Sequence, residues 1–382
     1  MIKIKNKCLA RAVNVQLNNY GINKYFNENN YEEEEIKKIT NIILINPNSI
    51  DEIDKLVNLE VLNIGYSNCL DNENYITDFN ILSKLNYLKS FTLLNNILIK
   101  KLDLSTLKNL ERLKLIYNPN LKEIKLEGLT NLLDVILVGN DIKELKDFTT
   151  IMNNINVNIL LDILMYPNIK KYLKDNSNIK FAEKISFGEI YKTDILTINK
   201  VHNKALKIID IEANNNKEES IINLYRYIVT NLTYDYDGLE ERNNYYINNR
   251  YNPFLEDEKI NRFRLMNTCI QALLNGLCVC EAYVNALIYL YSLIGIKAKS
   301  LRVKIKDSNT HYDHAAMCFL LNDTIYYSDP QKEDNFIKLN KLFMTEEEFN
   351  EIYLISPLDK LIVDNWKEEI NDKINKHIEK SR

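Results

Sequence analysis

Glycine, proline and cysteine are scarce in this chain, with 8, 6 and 6 copies among 382 residues. The six cysteines (Cys8, Cys69, Cys269, Cys278, Cys280 and Cys318) are too sparse for a disulfide-held scaffold, and a chain of this length can bury a core without one. The low glycine and proline content, beside abundant Asn, Ile and Lys, reads as a coding bias without functional content. An excess of charge is also missing. The 49 basic and 53 acidic residues leave a net charge of −4, so no basic field exists to attract nucleic acid. No stretch approaches about 18 uninterrupted apolar residues, which leaves no candidate transmembrane helix and no expected membrane partner. The N-terminus, MIKIKNKCLARAVNVQLNNYGIN, has basic residues but no apolar h-region, so no signal peptide is expected. These absences predict a cytoplasmic protein with reduced cysteines. What remains is ordinary globular composition, 46% hydrophobic and 27% charged, at a length that suits two or three domains.

The first positive signal is a repeat. Leu85-x-x-Leu88-x-x-Phe91-x-Leu93 is followed by Leu107-x-x-Leu110-x-x-Leu113-x-Leu115-x-x-Asn118. Then comes Leu129-x-x-Leu132-x-x-Val135-x-Leu137-x-x-Asn140. The starts at Leu85, Leu107 and Leu129 are evenly spaced. An earlier copy begins at Leu56, a wider interval before Leu85, and the excess fits a loop around Asp71–Asn80. This pattern resembles the leucine-rich repeat family over about residues 40–150. Each x-Leu-x-Leu step puts two aliphatic side chains on one side of a short strand, and one repeat cannot bury them alone, so neighbours stack into a curved solenoid. The asparagine ending a repeat can bond backbone groups in the turn. Leu94, Ile116 and Val138 recur at one outward position, beside Thr92, Lys114 and Ile136. They predict an apolar stripe on the concave side that binds a protein partner, unless the chain's own second domain or tail covers it.

In the second half, Glu219–Tyr236 has helical apolar spacing, and residues 238–266 read as a polar loop or insertion. From Cys269 the chain is apolar again, with helical spacing at Ala286, Leu287, Leu290, Leu293 and Ile294, and Gly295 suits the helix stop. Strand-like runs follow at Ala298–Ile305, His314–Leu321 and Thr324–Ser328, the last two joined at Asn322-Asp323, before an amphipathic tail carrying Trp366. The expected domains are an N-terminal cap over 1–38, repeats over 39–165, a connecting segment over 166–215 and a second domain over 216–382.

A cysteine at the start of a buried helix, with a histidine opening one strand and an aspartate ending the next, is the arrangement that a Cys–His–Asp site needs. Cys280, His314 and Asp329 fill those places. Three segments carry a resemblance to the transglutaminase-like core family, covering about residues 219–332. They are Asn231-Leu232-Thr233-Tyr234-Asp235, then Asn275-Gly276 with Val279-Cys280-Glu281-Ala282-Tyr283, then His314-Ala315 with Tyr326-Tyr327-Ser328-Asp329-Pro330. Gly295 follows Cys280 at the interval where the family places its turn. Three positions depart from its pattern. Ala282 stands for a glycine, Ala316 for an aromatic and Gln331 for a threonine.

The resemblance implies an α+β papain-like fold after the repeats, and acyl transfer through a Cys280 thioester, with His314 as base and Asp329 orienting it. It implies an oxyanion site made by the Cys280 backbone N–H and an upstream side chain, for which Gln271 is the candidate. Cys278 is the rival nucleophile, or else a packing residue or a regulatory disulfide partner. Tyr234, Asp235 and Tyr283 read as framework, and His311 as a loop residue. Cys278-x-Cys280 with His311-x-x-His314 and Cys318 offers soft metal ligands, but the spacing matches no common zinc module, and no cofactor or metal is expected. The rival to an enzyme is a binding scaffold with a degenerate papain-like domain.

Overall fold

The computed structural model describes residues 1–67, 75–142, 151, 156–173, 178–184, 190–248, 258–306, 314–333 and 341–381. Cys69, His311 and part of the expected 71–80 loop lie outside them. The chain divides into two compact units, Met1–Lys180 and Phe181–Arg382.

In the first unit, helix α1 (Lys7–Asn19) packs on the first of six parallel strands. These are β1 (Asn41–Ile45), β2 (Val61–Gly65), β3 (Ser90–Leu94), β4 (Arg112–Ile116), β5 (Asp134–Val138) and β6 (Asn158–Asp162). The Leu-x-Leu positions are all buried, as the repeat predicts. The apolar stretch Ile159–Tyr166 opens as the sixth strand, because Ile159, Leu160 and Leu161 continue the parallel ladder on β5. The repeat asparagines form a ladder of their own. Asn118 Oδ1 accepts from the Asn96 N–H at 3.0 Å, its Nδ2 donates to the Leu93 carbonyl at 3.2 Å, and its own N–H donates to Asn140 Oδ1 at 3.2 Å.

Strand register lines up Leu94, Ile116 and Val138 in one row and Thr92, Lys114 and Ile136 in the next. The rows are not the open apolar stripe that the spacing suggests. Val138 is 0% and Thr92 8% exposed, and the other four are half-buried. Periodicity reports which way a side chain points and not what lies over it.

In the second unit, strand β7 (Ile179–Lys184), which spans the boundary, pairs antiparallel with β8 (Ile190–Thr193). Helix α2 (Ile195–Glu212) follows, inside the stretch expected to connect the domains, and buries Ile198, Val201, His202, Ala205 and Ile208. Helix α3 (Lys217–Asn231) packs beside it. Residues 238–266 are not simply a loop. They hold most of α4 (Tyr236–Asn248) and all of α5 (Glu258–Leu265). No residue of α4 is fully buried, so its sequence lacks the apolar period that marks a helix. Its Tyr245 and Tyr246 rings instead rest on Phe263 of α5 at 5.6 and 6.0 Å.

The core is a helix on a sheet. After α6 (Cys269–Asn275) and the two-residue strand β10 (Leu277–Cys278) comes α7 (Cys280–Leu293), apolar nearly all round and buried over Glu281–Val284 and Ala286–Tyr291. It ends in a Schellman turn: Ile296 N–H donates to the Tyr291 carbonyl, Gly295 N–H to that of Ser292, and Gly295 has φ +73°. The helix packs on β11 (Lys297–Ile305) and β12 (His314–Leu321). With β13 (Thr324–Ser328) and β14 (Tyr353–Ile355) these form an antiparallel sheet ordered β13-β12-β11-β14. Asn322 and Asp323 have φ +49° and +58°, the left-handed pair of a two-residue hairpin turn. Helices α8 (Glu346–Ile352) and α9 (Pro357–Ser381) complete the unit, and α9 buries Trp366 against the sheet's core cluster.

Asn118→Ala removes a buried residue that bonds both neighbouring repeats. The substitution is expected to lower stability by about 2 kcal/mol in chemical denaturation and to speed hydrogen exchange at the Asn96 amide. A loss below about 0.5 kcal/mol would mean that the ladder carries no net stability.

Candidate active site

The place of Cys280 is set by a short parallel ladder. Helix α6 ends at Gly276, whose φ of +79° turns the chain sharply into β10. There β10 pairs with β9 (Thr233–Tyr234), the extension that leaves α3. Thr233 N–H donates to the Gly276 carbonyl at 2.7 Å and Asp235 N–H to that of Cys278 at 2.9 Å. Val279 is the extended N-cap residue of α7, and its N–H donates to the Met266 carbonyl at 3.1 Å. Cys280 is therefore the first residue of α7, with its sulfur at the positive end of the helix dipole. It is partly exposed, whereas Cys278, within the ladder, is fully buried.

His314 opens β12. Its Nε2 lies 2.9 Å from Oδ2 of Asp329, which follows β13 and is completely buried. With Nε2 engaged, Nδ1 is the ring nitrogen left for Cys280. Burial alone would lower the His314 pKa. The charge and hydrogen bond of Asp329 outweigh it, with a hydrogen bond and charge from Cys280 adding to them, and the pKa is pushed up to about 10. Sulfur, imidazole and carboxylate thus stand in hydrogen-bonded sequence, supplied by a helix start and two neighbouring strands.

Two tyrosines join them. Tyr234, at the end of β9, has its hydroxyl at Cys280. Burial first, then the charge of Cys280 and a hydrogen bond with its side chain, drive the phenol pKa far upward, while the Cys280 backbone N–H works the other way. Tyr236 leans on the Tyr234 ring at 4.6 Å. Tyr353, at the start of β14, donates its hydroxyl to Asp329 Oδ2, and its ring lies nearly parallel to the imidazole with centroids 6.1 Å apart.

Of the residues singled out from sequence, Cys280, His314 and Asp329 come together. Gln271, the expected oxyanion donor, has its side-chain amide bonded within its own turn. Its Nε2 donates to the Leu277 carbonyl at 2.9 Å and its Oε1 accepts from Asn275 at 2.8 Å, so the amide braces the turn before β10. Tyr234, read as framework, is the upstream side chain at Cys280, and its position in the Tyr-Asp motif was the available signal. Nothing in the sequence marks Tyr353, which lies 24 residues beyond Asp329. Ala316 is fully buried in the sheet's core cluster, so the missing aromatic leaves no gap on the surface. Ala282 is likewise buried in α7. Among the described residues no group of three or more His, Cys, Asp or Glu is placed to hold a metal ion, and no helix is long and apolar enough to cross a membrane.

Comparison with known proteins gives a family for part of the chain. Residues 200–354 match the family described as a transglutaminase-like domain. No curated protein matches. Among solved structures, an internalin, InlF, from Listeria monocytogenes is 21% identical over 47% of this chain and 51% of its own, with a TM-score of 0.28. A transglutaminase crystal structure is 11% identical over 46% of this chain and 48% of its own, with a TM-score of 0.27. Internalin C2 from the same bacterium is 13% identical over 48% of this chain and 99% of its own, at 0.26. The chain spans about half the length of InlF and of the transglutaminase. Likenesses of this degree carry no argument about activity; the family match and the repeat register do the assigning. The second unit therefore holds, at residues 200–354, a transglutaminase-like domain, and the first unit carries its leucine repeats as parallel strands in register.

Proposed function

We propose that this protein is a cysteine enzyme acting on protein amide bonds through a thioester on Cys280, either transferring the acyl group of a glutamine to an amine or hydrolysing the amide. The observation that carries the reading is the chain of contacts from Cys280 through His314 to a buried Asp329. The sulfur attacks the amide carbonyl. The carbonyl oxygen gains negative charge and takes hydrogen bonds from the Cys280 backbone N–H and, in place of the phenol's present contact, from the Tyr234 hydroxyl. A histidine with a pKa near 10 is protonated at neutral pH, so Nδ1–H can give its proton to the departing amine. Water or a second amine then attacks the thioester and returns a proton to His314, while Asp329 keeps the imidazole in one orientation and balances its charge.

The repeats recruit the protein substrate or another partner in this reading. Thr92 and Val138 are covered, but Ile43 and Ile45 on β1 are 53% and 67% exposed, which leaves the N-terminal end of the strand array open for contact.

Iodoacetamide should label Cys280 faster than a free thiol and in a pH-dependent way, and Cys280→Ala should abolish both that labelling and any crosslinks, deamidation or cleavage found by mass spectrometry in treated lysate. Reactivity no higher than that of an ordinary thiol would favour the binding scaffold. Tyr234→Phe is expected to lower kcat by about a hundredfold with little change in KM, whereas Gln271→Ala should leave kcat within about twofold.

The pH dependence of stability has a defined sign. The folded-state pKa of His314 is raised, so its contribution is fully present below the unfolded value of about 6.5 and disappears as pH rises through about 10. Between those limits wild type should lose more stability than His314→Gln, measured by denaturant midpoints. Parallel curves for the two proteins would refute the coupling.

A further inference from the structure

Asp329 is held by two groups that meet one oxygen. His314 Nε2 lies 2.9 Å from Oδ2, and the Tyr353 hydroxyl donates to the same atom. Tyr353 also stands beside the other member of that pair, its ring at 21° to the imidazole plane with centroids 6.1 Å apart. It is fully buried, and the Phe349 ring lies against it at 4.7 Å, tilted by 35°, and in turn stacks on Tyr327 at 5.0 Å. The backbone is fixed just as firmly. Tyr353 is paired with Ile305 across β11, and Lys306 N–H donates to the Ile352 carbonyl at 3.0 Å. A buried side chain with two rings beside it and its hydroxyl on the Asp329 carboxylate is held to that contact.

We propose that Tyr353 is a positioning residue for the Cys280 site, its hydroxyl fixing the rotation of the Asp329 carboxylate and its ring fixing the plane of the His314 imidazole, so that Nδ1 is aimed at the sulfur. The inference rests on the cysteine-enzyme reading of the same site. It assigns the residue a second effect with a definite direction. Oδ2 divides its hydrogen-bonding capacity between an imidazole N–H and a phenol O–H. The phenol therefore weakens the hold of Asp329 on the protonated imidazole. The groups bearing on that imidazole are Asp329 from the end of β13, Cys280 from the start of α7 and Tyr353 from β14, with Tyr234 of β9 acting on Cys280.

The test is the titration of His314 in the resting full-length protein, followed by NMR of its ring carbons and assigned with His314→Gln. Tyr353→Phe keeps the ring stack and removes the hydroxyl, and is expected to raise the His314 pKa by about half a unit or more. In an Asp329→Asn background the same substitution should have a much smaller effect, since the carboxylate charge that the two donors share is gone. Incorporating 3-fluorotyrosine at position 353 makes a stronger donor without disturbing the packing and should move the His314 pKa down; it also serves if Tyr353→Phe fails to fold. The alkaline limb of Cys280 alkylation should shift with the histidine in each case. A fall in melting temperature with no change in the His314 titration would reduce Tyr353 to a packing residue and overturn the proposal. So would shifts of the same sign for phenylalanine and fluorotyrosine. The titration needs no substrate, so a wild-type protein without turnover would count against the enzyme reading while leaving this test intact.

Discussion

The bond between His314 and Asp329 is the constraint around which the second unit is arranged. A carboxylate completely removed from water is costly to keep charged unless partners face it. The fold supplies two at one oxygen, an imidazole and a phenol, and brings them from different strands of the sheet. The strong rise in the His314 pKa is the same fact seen from the imidazole, where the carboxylate's pull exceeds the cost of burying the cation. Antiparallel pairing through the Asn322-Asp323 turn sets how closely the end of β13 returns to the start of β12, so the bond depends on a register fixed by two left-handed residues.

The sulfur reaches this pair by an independent route. Its helix is buried nearly all round and lies across β11 and β12, which fixes the axis of α7. Its first residue is fixed by the β9–β10 ladder and by the Val279 bond to Met266. Core packing thus decides where the helix lies, and a few backbone hydrogen bonds decide where it begins. The two requirements meet at Cys280. Cys278, two residues earlier, falls inside the ladder and is buried by it, which separates the two cysteines by exposure although the sequence places them side by side.

The sequence was most legible where a repeating contact writes a repeating pattern. The even spacing of the leucines and the hydrophobic run of α7 are of that kind, and so is the asparagine at each repeat's end, whose bonds recur from one repeat to the next. The three chemically matched residues were legible because each sits at an element boundary marked by its neighbours: Val279 before the cysteine, the strand start at His314, the Asp-Pro after β13. Other features left no such mark. Helix α4 has no buried stripe, so it looks like loop. Tyr353 reaches Asp329 from a strand on the far side of β11, a contact that no local pattern encodes. Gln271 stood at a plausible distance along the chain, but its amide is spent on its own turn. The concave rows were legible in direction and not in exposure.

The ladder of β9 and β10 has an architectural consequence. Thr233–Tyr234 and Leu277–Cys278 are neighbours in space although a long excursion of the chain separates them, so everything between them leaves from and returns to one clasp. Insertions or deletions within that excursion, which includes α4 and α5, leave the clasp that fixes the sulfur intact, since closing a longer loop adds little entropic cost. The excursion is thus free to vary in length while the cysteine, the histidine and the aspartate keep their places.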